Sequence, residues 1–157
     1  MLSARPKKWY SWDFILHDAE GRHLADLDLS SWRERGKVVL SGAEYRVRPE
    51  GFRGPFVLDD GVSVRARARR TSLLGCAFEI EYEGDHYILK KRSFWRQALV
   101  LQQGAEELGT IRPAAWYKRD ARVELADRLP LVLQAFALWL ALLVWKRDAA
   151  AAAGAGA

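Results

Sequence analysis

Residues 129–145 read LPLVLQAFALWLALLVW, seventeen positions without a charge, and the placement of this stretch decides the fold. Pro130 suits the first turn of a helix, where the N–H it lacks would have no intrahelical partner. From Leu131 to Trp145 the residues are Leu, Val, Ala, Phe and Trp, with Gln134 the only strongly polar one. The segment therefore reads as a helix that is apolar on every side, and such a helix is either enclosed by protein or spans a membrane. Water is excluded as its surroundings, because burying each large apolar side chain is worth up to about 1.5–3 kcal/mol. Lys146 and Arg147 follow the run, where cations complement the helix dipole, and Asp127 precedes it.

Seventeen residues at about 1.5 Å each reach about 25 Å, against a hydrocarbon core of about 30 Å, so a bilayer would be spanned only at the lower limit. Trp145 suits an interface, but Trp139 would lie near mid-bilayer and neither Trp nor Tyr marks the N-terminal end of the run. The other solution is a β-barrel whose lumen the helix fills. It requires small or apolar residues on the inward faces of the preceding strands.

Those strands are legible between Trp9 and Glu124 as short segments with turn signals about every ten residues. A first hairpin is expected from Lys8–His17 through Asp18-Ala19-Glu20-Gly21 to His23–Leu29, with Ala25, Leu27 and Leu29 inward. Segments follow at Lys37–Leu40, Glu44–Arg48 and Pro55–Leu58, the last turned by Asp59-Asp60-Gly61. Val62–Arg69 alternates: Val62, Val64, Ala66 and Ala68 on one face, Ser63, Arg65, Arg67 and Arg69 on the other. Ala77–Glu83 sets Phe78, Ile80 and Tyr82 against Glu79, Glu81 and Glu83, and Gly84-Asp85 turns it into His86–Lys91. Phe94–Leu101, Leu108–Arg112 and Arg122–Leu125 bring the expectation to about eleven strands. No internal repeat of a propeller or solenoid is present.

The order of parts over residues 9–147, PFVLDDGVSVRARA, then AFEIEYEGDHYILKK, then ALVLQQGAEELGTIR, then DRLPLVLQAFALWLALLVW, resembles the tubby-like superfamily, which includes tubby C-terminal domains, phospholipid scramblases and LURP-one-related proteins. The resemblance implies a mainly β fold, a closed barrel of roughly twelve strands around a central hydrophobic C-terminal helix. It implies no catalytic residue, and among its members some bind phosphoinositides and some are linked to lipid movement. The expected organisation is one domain over residues 1–148, with the core helix near 129–147 formed by Leu131, Leu133, Phe136, Leu138, Trp139, Leu142 and Trp145. Residues 149–157 are an Ala/Gly tail expected to be disordered or to fray.

Composition narrows the function. At 157 residues the chain is one domain's worth of material, and 29% charged with 11% aromatic excludes wholesale disorder. The single cysteine, Cys76, removes any intramolecular disulfide and reads as a small buried residue; with no secretory signal visible, a cytoplasmic setting is expected, with membrane association or a C-terminal anchor as alternatives. His17, His23 and His86 are scattered without metal-ligand spacing, so neither metal nor cofactor is expected. Asp59-Asp60 and Glu106-Glu107 lie at Gly turns, where carboxylates are solvated. With no phosphate loop, nucleophile elbow or zinc-protease helix, no enzyme is expected.

The net charge of +5 points to acidic partners. Arg65, Arg67 and Arg69, with Arg70 beside them, form one outward row, and Lys90, Lys91 and Arg92, with Arg96, form a second cluster; both are candidates for an anionic phospholipid or membrane surface. Against this stands Glu79, Glu81 and Glu83 on the adjoining strand, whose cross-strand pairing would neutralise the row. KKWYSWDF and SFWRQ interleave aromatic and basic residues, but with no RNA-binding signature they read more simply as barrel-wall strands than as a nucleic-acid platform. The leading expectation is a non-enzymatic lipid-surface module, and the alternative a structural or protein-interaction domain with no partner legible.

Overall fold

The structure is a computed structural model that describes residues 1–29, 34–52, 54–71, 77–92, 97–115 and 118–155. Twelve strands precede one helix: β1 (Leu2–Pro6), β2 (Phe14–His17), β3 (His23–Leu29), β4 (Gly36–Leu40), β5 (Ala43–Pro49), β6 (Phe56–Asp59), β7 (Val64–Arg70), β8 (Ala77–Tyr82), β9 (Asp85–Lys91), β10 (Leu99–Gln103), β11 (Glu106–Ala115), β12 (Lys118–Leu125) and α1 (Leu131–Ala155). Each strand pairs antiparallel with the next, and β1 closes the barrel on β12 through Leu2↔Val123, Ser3↔Arg122 and Ala4↔Ala121. Closure removes the unpaired edges that an open sheet of this size would present.

Period-two alternation makes the wall two-faced. Phe14 and Leu16, Ala25, Leu27 and Leu29, Phe78 and Ile80, and Leu99 and Leu101 all point inward and are buried. α1 fills the space they enclose. From Leu133 to Trp145 every side chain is buried, while Leu131 and Val132 are partly covered where the helix begins. Alanines at 4, 25, 66, 68 and 121 keep the lumen wide enough for a helix backbone. Gly36 serves the same end: a Cβ there would stand 1.8 Å from the Asp28 carbonyl oxygen and 2.7 Å from Trp139 Nε1.

The side-chain donors of Gln134, Trp139 and Trp145 on the buried helix are matched. Gln134 Nε2 donates to the Leu129 carbonyl at 2.9 Å, bonding back to the chain before the helix. Trp139 Nε1 donates to the Asp28 carbonyl at 3.0 Å while its ring meets Phe56 at 5.8 Å, and Trp145 Nε1 donates to Gln97 O at 2.8 Å. At the far mouth Lys91 Nζ meets Asp148 at 2.6 Å and Arg147 meets Glu34 at 2.5 Å. Among the described residues no helix is long and apolar enough to cross a membrane.

The barrel around a central helix is as expected, with corrections in detail. The strand count is twelve, and the strand missing from the sequence reading is β1, the one that closes the barrel. Lys8–Asp13, expected within a strand, is instead a loop: Pro6 ends β1, Lys7 N–H donates to Asp13 O at 2.8 Å, and the Ser11 hydroxyl accepts from the Asp13 N–H at 2.9 Å. Val62 and Val64 do not face the core and are 95% and 38% exposed. The β6–β7 turn is longer than an Asp-Gly hairpin, because Asp60 Oδ1 accepts from the N–H groups of both Val62 and Ser63 and keeps Val62 in the turn. The β8–β9 turn is tight as expected but lies one position earlier than Gly84-Asp85: its central residues are Glu83 and Gly84, with φ of 48° and 87°, and Asp85 already pairs with Tyr82. No break falls at residue 149, since α1 runs on to Ala155. Cys76, Phe94 and Arg96 lie outside the described residues.

Candidate functional site

The arginine row is real but charge-matched. Arg65, Arg67 and Arg69 all project outward from β7. Arg65 meets Glu83, and Asp60 at 3.5 Å; Arg67 meets Glu50 at 3.4 Å; Arg69 meets Glu79 at 2.5 Å. Glu81 stands opposite Arg67 in the sheet, yet the pair of Arg67 is Glu50, from the chain beyond β5. The hydrogen bond and charge of Glu83 raise Arg65 further above its ordinary value. A row with a carboxylate for each guanidinium has little field left for a phosphate.

The second cluster divides. Lys91, inward at the barrel mouth, is held by Asp148 of α1, and Arg92 by Glu107. Lys90 lies outside, opposite Ala77, and Arg70 sits at the end of β7 opposite Phe78. Among the described residues neither Arg70 nor Lys90 belongs to an ion pair. The structure thus brings Arg70, Lys90, Lys91 and Arg92 to the mouth where α1 emerges, while Arg65 lies toward the opposite one.

That mouth is the positive end of the molecule. Lys8 in the β1–β2 loop, Arg35 before β4 and Arg70 are exposed, and none of the three is in an ion pair among the described residues. Lys8 Nζ lies 5.7 Å from the Tyr10 ring centroid. Trp9, Tyr10 and Phe52 are 84%, 62% and 94% exposed, and all three stand on connections at this same end. Burial pulls Lys146, the first polar residue of the emerging helix, below its ordinary value, opposed by the charges of Glu34 and Asp13.

Arg119, which the sequence reading did not single out, organises the β1–β2 loop. Its two amino groups donate to the carbonyls of Trp9 and Ser11, and its carbon lies 4.5 Å from the Trp12 ring centroid and 5.9 Å from that of Phe14. Burial pulls this guanidinium down from its ordinary value, and among the described residues no carboxylate answers it. Beside it opens a cleft of about 990 Å³ between β11, β12 and α1 beyond Trp145. The one sequence sign of this region was the basic–aromatic alternation in KKWYSWDF, which marks an exposed loop rather than a wall strand; nothing in residues 118–120 taken alone distinguishes Arg119.

Other candidates take structural places. Asp60 caps its turn, Glu106 meets Arg128 at 2.9 Å, and Asp59 meets Arg48 at 3.3 Å. The rings of His17 and His23 stand 6.4 Å apart, His23 contacts Asp26 at 3.0 Å, and among the described residues no three metal-ligating side chains converge. The chain matches no family model, no curated protein and no solved structure.

Proposed function

We propose that the chain is a non-enzymatic, tubby-like barrel that docks on anionic phospholipid surfaces with the end from which α1 emerges. The observation that carries this reading is the coincidence, at one end only among the described residues, of cations outside any ion pair there (Lys8, Arg35, Arg70) with the exposed rings of Trp9, Tyr10 and Phe52. Aromatic side chains of this kind are favoured at the headgroup level of a bilayer, and each Lys or Arg near an anionic leaflet contributes about 1 kcal/mol. The closed barrel around a C-terminal helix supports the tubby-like part of the reading. The docking face moves from the β7 arginine row, whose charge is spent on carboxylates, to the mouth.

Vesicle sedimentation tests the proposal. The protein is expected to pellet with phosphatidylcholine vesicles containing phosphatidylserine at 0.1 M salt, to stay in solution with phosphatidylcholine alone, and to be released as salt rises and the field is screened. No pelleting with the anionic vesicles, or pelleting indifferent to lipid charge and salt, overturns it. The second of these outcomes favours the protein-interaction reading.

A further inference from the structure

The cleft beside Arg119 is distinct from the docking face just described, since none of Lys8, Trp9, Tyr10, Arg35, Phe52 and Arg70 lines it. Its walls are largely apolar: Trp12 from the β1–β2 loop, Ala98 before β10, Pro113 on β11, and Trp145, Ala149 and Ala152 on successive turns of α1. Its size lies at the upper end of the roughly 300–1,000 Å³ typical of small-molecule sites, which pair apolar walls with a few placed polar groups.

The charges along it are not equivalent. Arg112 is answered by Glu124 at 3.1 Å, Arg92 by Glu107, and Asp148 by Lys91. Arg119 is different. It is partly drawn in from water, lies against Trp12, and among the described residues only the backbone carbonyls of Trp9 and Ser11 accept from its five N–H donors. A partly desolvated guanidinium without a counter-ion, at the edge of an apolar cleft, is complementary to an anionic head followed by an apolar chain.

We propose that this cleft is a binding site for a single-chain anionic amphiphile, its carboxylate or phosphate at Arg119 and its alkyl chain between Trp12, Ala98, Trp145 and the alanines of α1. Lys118, on the same strand, lines the same cleft. The chain can come from free amphiphile or from a bilayer lipid; the chemistry recognised is the same.

The test uses the full chain and three probes below their micelle concentrations: laurate, butyrate and dodecyltrimethylammonium, followed by titration calorimetry. Laurate is expected to saturate near one equivalent. Butyrate, which has the head without the chain, and dodecyltrimethylammonium, which has the chain with the opposite charge, are expected to bind at least tenfold more weakly. Ala152→Trp fills the cleft from an exposed helix position and is expected to weaken laurate at least tenfold with an unchanged melting temperature. Arg119→Gln is expected to weaken laurate but not dodecyltrimethylammonium. Equal affinity for laurate and the cationic probe, or laurate binding untouched by Ala152→Trp, overturns the site.

Vesicle sedimentation of Ala152→Trp assigns the source. Pelleting as in the parent means the cleft takes free amphiphile, and pelleting lost together with laurate binding means it takes a chain from the bilayer. A protein that binds laurate but ignores anionic vesicles keeps the cleft and loses the docking reading, and the converse result keeps the docking reading alone.

Discussion

The two mouths of the barrel are built from the same antiparallel hairpins and carry opposite chemistry. At the mouth where α1 begins, four short turns have carboxylates in them or at their flanks, Asp18 and Glu20 at β2–β3, Asp59 and Asp60 at β6–β7, Glu83 and Asp85 at β8–β9, and Glu106 and Glu107 at β10–β11, while Ser41-Gly42 between β4 and β5 has none. Most of these carboxylates are spent locally, on turn N–H groups or on Arg22, Arg65 and Arg128. At the mouth where α1 emerges, cations without carboxylate partners stand beside exposed rings. One end is therefore finished as structure, and the other is left with unanswered charge and uncovered aromatic surface, which is where a partner has something to gain.

The largest expected effect comes from removing what the two ends share. Trp139→Ala deletes a fully buried ring, its contact with Phe56 and its bond to the Asp28 carbonyl, and is expected to cost about 3–5 kcal/mol. Denaturant unfolding read separately by hydrogen exchange at both mouths should show one transition; two transitions would mean that the ends are stabilised independently. The milder Trp139→Phe keeps most of the ring and loses the donor, with an expected cost of about 1–2 kcal/mol.

Next in size is charge reversal confined to one end. Lys8→Glu, Arg35→Glu and Arg70→Glu together are expected to weaken pelleting with phosphatidylserine vesicles by at least about 3 kcal/mol, or more than about 100-fold, because losing each cation is worth about 1 kcal/mol and each new carboxylate adds repulsion. The same reversal of Arg65, Arg67 and Arg69 is expected to destabilise the barrel wall by setting like charges opposite Glu79, Glu81 and Glu83, while changing vesicle affinity less than tenfold. If the second set weakens pelleting as much as the first, the row on β7 is part of the docking face and the contrast between the ends dissolves. Trp9→Ser with Tyr10→Ser should then weaken pelleting about tenfold at unchanged salt dependence, which separates the rings from the charges.

Much of the fold was legible because its two periods are strong. The charge-free run 129–145 admits only enclosure or a membrane, and Ala66, Ala68, Phe78 and Ile80 supply inward faces for the enclosing wall. β1 was missed for a physical reason: LSARP has one fully buried residue, Ala4, and owes its strand to pairing with β2 and β12, which no local pattern encodes. Val62 was misplaced because alternation continued through a turn that side-chain capping by Asp60 had lengthened. For the site, the cations were legible as residue types but not as charges answered or unanswered. Arg69 and Arg70 are neighbours in sequence, yet only Arg69 meets a carboxylate, and Arg119 gains its meaning from Trp9 and Ser11, more than a hundred residues away in the chain.

The smallest effect sharpens the contrast through pH. Backbone N–H donors from Ser63 and Val62 hold the Asp60 carboxyl below its ordinary value, with Arg65 adding to them. Asp18 is likewise held down, its desolvation outweighed by the backbone N–H and side chain of Arg22 and the N–H of Glu20. Both act at the acidic mouth. A carboxyl whose folded value lies below its unfolded one stabilises the protein above the unfolded value, and this contribution is lost as pH falls through the folded value. Lowering the pH below about 4 should therefore loosen the β2–β3 and β6–β7 turns first, seen as faster exchange of the Val62, Ser63 and Arg22 amides. The guanidinium groups of the basic mouth stay charged throughout this range. Asp60→Asn, which keeps an acceptor oxygen but does not titrate there, should remove the acid-induced change at Val62 and Ser63 and leave that at Arg22. Loosening of the basic mouth, where Lys91–Asp148 and Arg147–Glu34 hold α1, ahead of these turns would overturn the contrast.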